Sequence, residues 1–371
     1  MNIKKTITYV LLFSFFIGIS IVYFFYDWSF APNTISFEKE GYLYIPTGSN
    51  FKDVVSILND NEFIKNQKSF SWLAKQKQYI GKVKPGRYMI KSKMSNNELI
   101  NLLRSGEQEP VSVTFNNIKS NEHLAELVSA QLELDKESLV KIMSDSIFLS
   151  KYELSCNDVM SVFIPNTYSF FWNTSAVQFF ERMMLEYDKF WNKEREELLS
   201  KIKLTKKEVS ILASIVQKET IMKKELPIVA GLYINRLKKG MKLQADPTLI
   251  FAAKKYAEKN CDCLSNVKLI KYRDVCYEFC EGDSVIRRVL KKHIKIESPY
   301  NTYKLHGLPP GPICFANTLA IDAVLNYQKH NYLYMCADYE MTGFHIFTKT
   351  LKEHSKNAKK YHKKQNQLGN K

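Results

Sequence analysis

An apolar run with no charge inside it, residues 7–26, constrains this chain more than any other stretch. Lys4 and Lys5 precede it, and as a helix it would be about 30 Å long, enough to cross the hydrocarbon core of a bilayer. A cleaved secretory signal has a shorter apolar core and ends in small residues. This run ends instead in Tyr26-Asp27-Trp28, the kind of aromatic belt found at a membrane interface. We therefore expect a retained single-pass anchor in a cytoplasmic membrane, with residues 1–6 inside and the remainder outside. No cysteine precedes Cys156, so lipid attachment to a cysteine near the N-terminus is excluded.

The rest of the 371-residue chain has room for two or three modules. Its formal charge of +16 comes from lysines spread widely and thickening toward Lys371. Such an excess suits an acidic polymer, an anionic membrane surface or nucleic acid. The chain carries no zinc-finger spacing, RNP-like aromatic run or glycine-rich phosphate loop, so no nucleic-acid partner is expected.

Residues 38–108 read as one small module. Positions 42–45 alternate as a strand does. Ser49 or Asn50 then caps a helix carrying Phe51, Val54, Val55 and Leu58. A second helix holds Phe70, Trp72 and Leu73, and a strand over 87–90 follows the Pro85-Gly86 turn. Ser95 and Glu98 have capping-box spacing, and Gly106 stops that helix. Beyond it, 110–115 reads as a strand and helices are expected over 122–132 and 136–143. Phe163-Ile-Pro-Asn-Thr-Tyr168 reads as a turn. A single long helix over 175–199 would bury Phe179, Phe180, Met183, Tyr187 and Phe190. Pro227 suits an early position of a helix that ends at Gly240. The predicted class is α+β: an anchor helix, a β-α-α-β module, a mixed domain over 109–351 and a basic tail, 352–371.

The most informative helix is 205–220. Thr205 and Glu208 form a capping box, and Val209, Leu212, Ala213 and Val216 recur at helical spacing. At about 100° per residue Glu219 falls on the same apolar face. A carboxylate set among apolar groups is poorly solvated, so its pKa rises and it can hold a proton near neutral pH, as a general acid must. The plainer alternative is a helix-end Glu that reaches water or pairs with Lys223 or Lys224.

Five blocks follow one another in order. They are Leu212-Ala-Ser-Ile-Val-Gln-Lys-Glu219, Ile234-Asn-Arg236, Leu243-Gln-Ala-Asp-Pro-Thr248, Ser298-Pro-Tyr-Asn-Thr-Tyr303 and Gly307-Leu-Pro-Pro-Gly-Pro312. Together they resemble the MltG (YceG-like) family of endolytic murein transglycosylases, over nearly the whole chain. The resemblance implies an inner-membrane enzyme whose outer domain cuts nascent peptidoglycan strands internally, with Glu219 as the catalytic residue. It also implies work beside glycan-polymerising synthases. The β-α-α-β order resembles a LysM-type module, associated with N-acetylated glycans; a passive spacer is the alternative. Two departures stand out. Asn116-Asn117 replaces the Glu-Gly turn of many relatives, and an insertion over 254–282 brings Cys261, Cys263, Cys276 and Cys280.

In such an enzyme one carboxyl can suffice. The C6 hydroxyl of N-acetylmuramic acid is tethered beside C1 and attacks internally, so Glu219 would serve first as acid and then as base. Asn235, Gln244, Thr248 and Asn301 are candidates to bind acetamido and hydroxyl groups. Tyr300 and Tyr303 are candidates to stack on sugar rings, and Arg236 to meet a lactyl or stem-peptide carboxylate. For Arg236 and Asp246 a structural ion pair is the alternative. Asp246 is also the nearest second carboxylate, which would make the chain a hydrolytic muramidase. A non-catalytic peptidoglycan-binding scaffold is the third reading. The 307–312 loop is expected to shape a cleft edge, and His345, on a strand with aromatic neighbours, reads as structural.

No cofactor is expected, and no metal-dependent mechanism. The four insertion cysteines suit one or two disulfides in an oxidising space better than a zinc site, since their spacings are not the usual pairs. Cys156, Cys314 and Cys336 read as buried small residues. The lysine-rich tail reads as a solvated helix fraying into disorder.

Overall fold

A computed structural model of the chain describes residues 3–35, 41–260 and 289–367. The insertion cysteines Cys261, Cys263, Cys276 and Cys280 lie outside the described residues. The helices in chain order are α1 (Ile3–Phe30), α2 (Phe51–Asp60), α3 (Gln67–Gln76), α4 (Asn96–Ser105), α5 (Asn121–Ser129), α6 (Lys136–Ser144) and α7 (Ser146–Ser150). Then come α8 (Ala176–Phe190), α9 (Lys193–Ile202), α10 (Lys206–Glu219), α11 (Leu226–Lys238), α12 (Asp246–Asn260), α13 (Lys291–Ile294), α14 (Thr318–Leu325) and α15 (Leu351–Gln367). The strands are β1 (Gly41–Ile45), β2 (Gly86–Ile90), β3 (Val111–Phe115), β4 (Asn166–Phe170), β5 (Tyr334–Ala337) and β6 (His345–Thr348), in two-stranded pairs β1-β2, β3-β4 and β5-β6.

The chain divides into two compact units, though not by a cut at one position. Residues 1–113, 128–135 and 167–175 form the first, and 114–127, 136–166 and 176–371 the second. Two short returns of the chain to the first unit have no marker in the residue pattern.

In the first unit the order strand, helix, helix, strand is as expected. β1 and β2 pair antiparallel with Leu43 opposite Tyr88, and α2 to α4 bury Val54, Leu58, Phe70, Leu99 and Leu103 against them. Asn50 caps α2 in a capping box with Asp53, Ser95 caps α4 with Glu98, and Gly106 ends α4 at φ +76°. α1 is long and apolar enough over Thr6–Phe30 to cross a membrane, and its apolar side chains are exposed. Its last turn docks on the unit: Phe24, Phe25 and Trp28 gather around Trp72 with ring centroids 5.6–6.4 Å apart. Asn96, fully buried, fixes that junction by donating to the Trp28 carbonyl and to Ser69 Oγ, each at 2.9 Å, and by accepting from Asn33 at 2.7 Å.

The second unit is built around α10. Its capping box is present, but Val209 to Val216 are all buried, so the helix is enclosed on every side where one apolar face was expected. α11, α12, α14 and the 3-10 turn Val159–Val162 pack on it. The buried serines are satisfied: Ser210 donates to the Lys206 carbonyl, and Ser214 donates to Ile211 and accepts the Ile313 N–H. The single helix expected over 175–199 is two helices, because Asn192 accepts the Arg195 N–H and restarts the chain as α9. Part of the expected 163–168 turn is strand β4. Asn117 sits at φ +52°, a left-handed position that asparagine tolerates, which explains how Asn116-Asn117 replaces a glycine turn.

Removing the Asn96 amide leaves buried partners unsatisfied. Asn96→Ala should lower the stability of the first unit by about 2 kcal/mol. Urea unfolding of the full chain in detergent, followed by tryptophan fluorescence, measures it; an unchanged midpoint would contradict the account of the junction.

Candidate active site

Glu219 is the last residue of α10, where the helix stops because Thr220 turns extended (φ −143°, ψ 141°). Its half-buried carboxyl lines a cavity of about 550 Å³. Behind it, Tyr233 of α11 donates its phenol hydrogen to Glu219 Oε1 at 2.5 Å. Burial raises the Glu219 pKa to about 7; the Tyr233 bond and Arg236 pull it down, and the nearby charge of Asp246 pushes it up. Burial, and the Glu219 charge with it, raise the Tyr233 phenol well above its usual range, so it stays a donor.

Asp246 lines the cavity from the N-terminal end of α12, and the Tyr303 phenol donates to its Oδ1. Burial, and then Asp246, raise the Tyr303 phenol, which likewise keeps its hydrogen. Gln244 lines the same cavity from a strained left-handed backbone (φ +48°), its N–H donating to the Thr302 carbonyl.

The structure thus brings Glu219, Arg236, Gln244, Asp246 and Tyr303 together, yet Arg236 has other work. It is buried, its Nε donates to the Leu333 carbonyl at 2.6 Å and its Nη1 to the Leu243 carbonyl at 2.7 Å. Neither the ion pair with Asp246 nor a free guanidinium awaiting a carboxylate describes it; it ties the 242–244 loop to the start of β5. Four other candidates are not in the lining. The Asn235 amide is spent on the carbonyls of His330 and Tyr332. Thr248 is bonded to Ala245 and Thr302, and Asn301 to the carbonyls of Ile294 and Ile296. Tyr300 is packed on Phe251 with centroids 4.7 Å apart, and burial raises its phenol to about 12. The 307–312 loop does not form the cavity edge either: Gly311 is pressed on the Asn157 carbonyl, and Ile313 is bonded to α10.

The far wall is the main departure from the sequence reading. The basic tail is helix α15, and Leu351, His354, Ala358, Tyr361 and His362 on it line the cavity, while β5 contributes Tyr334 to Ala337 and β6 contributes His345. His354 stacks on Tyr334, and burial lowers its pKa, keeping the ring neutral. The 3-4-3 spacing of 351, 354, 358 and 361 was the signal for a cavity-lining stripe inside a lysine-rich segment. Of the cysteines outside the insertion, Cys314 is buried, Cys336 is partly buried in the cavity wall, and Cys156 is exposed, contrary to expectation.

A half-buried carboxyl with a pKa near neutrality, an aromatic and polar lining and room for a sugar-sized ligand form a site for acid–base chemistry on a polar substrate. The model of the YceG-like family matches residues 43–360. The chain belongs to the YceG-like family. This YceG-like chain is 29% identical over 332 residues to the endolytic murein transglycosylase of Bacillus subtilis (strain 168), covering 85% of this chain and 83% of that one. It is 29% identical over 321 residues to the enzyme of the same name from Streptococcus pneumoniae serotype 2 (strain D39), covering 79% of this chain and 53% of that one. It thus spans about half of the pneumococcal relative. A crystal structure of a YceG-like protein from Listeria monocytogenes, 27% identical, aligns with a TM-score of 0.52 and covers 86% of this chain and 99% of that one.

The opposing influences on Glu219 can be separated. Carbon-13 NMR titration of its carboxyl should give an apparent pKa of about 7. Tyr233→Phe removes a bond to the charged form and should raise it; Asp246→Asn removes a like charge and should lower it. Shifts in the same direction would contradict the geometry.

Proposed function

We propose that this YceG-like chain is a membrane-anchored endolytic lytic transglycosylase. It cleaves the β-1,4 bond between N-acetylmuramic acid and N-acetylglucosamine in nascent peptidoglycan strands and leaves a 1,6-anhydro end. The observation that carries this reading is the single carboxyl with a pKa of about 7 set in the wall of a cavity of about 550 Å³. The names of the Bacillus and Streptococcus relatives support the same substrate and reaction.

At neutral pH a large share of Glu219 is protonated before substrate binds. Its proton goes to the departing glycosidic oxygen as the bond to C1 breaks. The carboxylate left behind takes the proton of the C6 hydroxyl as that oxygen closes on C1, so no water is consumed and Glu219 is restored. The tethered hydroxyl supplies the high effective concentration of an intramolecular nucleophile. Tyr233 stabilises the carboxylate between the two transfers, while burial, with a smaller push from Asp246, lets the group still hold its first proton. The Tyr303 phenol occupies Asp246 Oδ1, which suits a fixed charge better than a second proton carrier. The sequence calls on no metal or cofactor.

In this reading α1 is the anchor, with the catalytic unit on the outer side of a cytoplasmic membrane, within reach of strands leaving the polymerising synthases. The first unit is LysM-like and holds N-acetylated glycan, consistent with its β-α-α-β order.

Digestion of purified glycan strands by the full chain in detergent, analysed by mass spectrometry, tests the proposal. Released muropeptides should be lighter by one water than hydrolytic products. Glu219→Gln should slow release by about 10²–10⁴-fold, the usual worth of a general acid–base group. The rate should fall as pH rises through about 7, where the acid is lost. Reducing ends would point to hydrolysis with Asp246, and binding without shortening to a scaffold.

A further inference from the structure

The cavity wall holds a second polar construction that the acid–base steps leave unused. Glu225, just ahead of α11, is almost completely buried, and a carboxylate there persists only with its oxygens satisfied. Oε1 accepts the backbone N–H of His345 at 2.6 Å, while Oε2 accepts Thr220 Oγ1 at 2.8 Å and His345 Nδ1 at 2.9 Å. Thr220 Oγ1 accepts the Met222 N–H at 3.0 Å, so its own hydrogen goes to the carboxylate. Glu225 therefore fastens the residue next to Glu219 and the first residue of β6 to one point. Gly343, at φ +82°, turns the hairpin where a Cβ would come within 2.8 Å of Met222, which brings His345 to this point.

The bonding fixes the imidazole. A carboxylate can only accept, so Nδ1 carries the ring hydrogen, and a neutral ring keeps its lone pair on Nε2. The backbone N–H and Nδ1 are both committed to Glu225, and His345 lines the cavity with Glu219. We propose that His345 presents Nε2 as a fixed hydrogen-bond acceptor for a hydroxyl or amide N–H of the bound amino sugar, with Glu225 as the positioning residue that sets its tautomer and place. The inference rests on the reading of the chain as a glycan cleaver and assigns His345 a contact in that same cavity.

Two substitutions separate this role from a structural one. Asn at 345 places an amide near the Nδ1 position, keeping the donor to Glu225 and losing the acceptor; Gln reaches the Nε2 position and restores an acceptor. A hydrogen bond made equally before and in the transition state appears in KM. With the full chain in detergent, His345→Asn should raise KM for glycan strands about tenfold, with kcat and thermal midpoint near wild type. His345→Gln should recover part of the loss. Glu225→Gln should match His345→Asn, and the double variant should add little. A wild-type KM for His345→Asn, or His345→Gln weaker than His345→Asn, would overturn the proposal in favour of a structural tie. Strand binding by the Glu219→Gln chain, with and without His345→Asn, decides the matter even if the wild type shortens no strands: about tenfold weaker binding supports the contact, and equal binding refutes it.

Discussion

The site depends on how a single carboxyl is solvated. Glu219 ends a helix whose Val209–Val216 stretch is packed on all sides, and burial is the largest influence on its pKa. Left alone, that influence would hold the proton too tightly to release it during a reaction. The Tyr233 phenol offsets it by bonding the charged form, and the result lies near neutrality. The rest of the second unit can be understood as what keeps these atoms in place. α11 brings Tyr233 and Arg236 one turn apart, and Arg236 spends its guanidinium on the backbone on either side of the cavity.

Local signals in the residues reported the elements well. The capping boxes Thr205–Glu208 and Ser95–Glu98, Pro227 early in α11 and Gly106 after α4 all act within one or two turns, and each is found where the spacing puts it. The longest misreading, one helix over 175–199, arose because Asn192 looks like any polar surface residue until its side chain is seen capping α9. Glu219 was legible for a related reason: helical periodicity alone puts it on the face of Val209, Leu212 and Val216. How completely α10 is enclosed was not, since part of the enclosure is made by α14 and the Val159–Val162 turn, which lie far from it along the chain.

The polar candidates show where such reading runs out. Asn235, Thr248 and Asn301 have groups suited to a sugar, but those groups suit backbone carbonyls equally well, and a buried loop has many carbonyls to satisfy. Asn301 holds the 294–296 carbonyls and Asn235 the 330–332 segment, so both shape the unit from within. Residue type cannot separate these uses; only the identity of the partner can. His345 is the converse case. An imidazole among aromatics on a short strand reads as structural, and the feature that changes its meaning, the buried Glu225, lies 120 residues earlier.

The C-terminal helix carries the same logic furthest. α15 bears lysines that, counted as composition, describe a solvated segment, and most of its surface is solvated. Yet a helix has several stripes, and charge on one says nothing of another. The stripe of Leu351, His354, Ala358 and Tyr361 meets β5 and helps line the cavity that Glu219 lines. A wall made this way is short of apolar packing, with no residue of α15 fully buried, and its contacts include rings such as His354 on Tyr334 and Lys360 over Tyr339. Few buried apolar contacts make an element the easiest to open locally. The Glu219 carboxyl therefore sits on the most enclosed helix of the unit and shares its cavity with one of the least buried, which places rigidity at the proton and freedom at the rim.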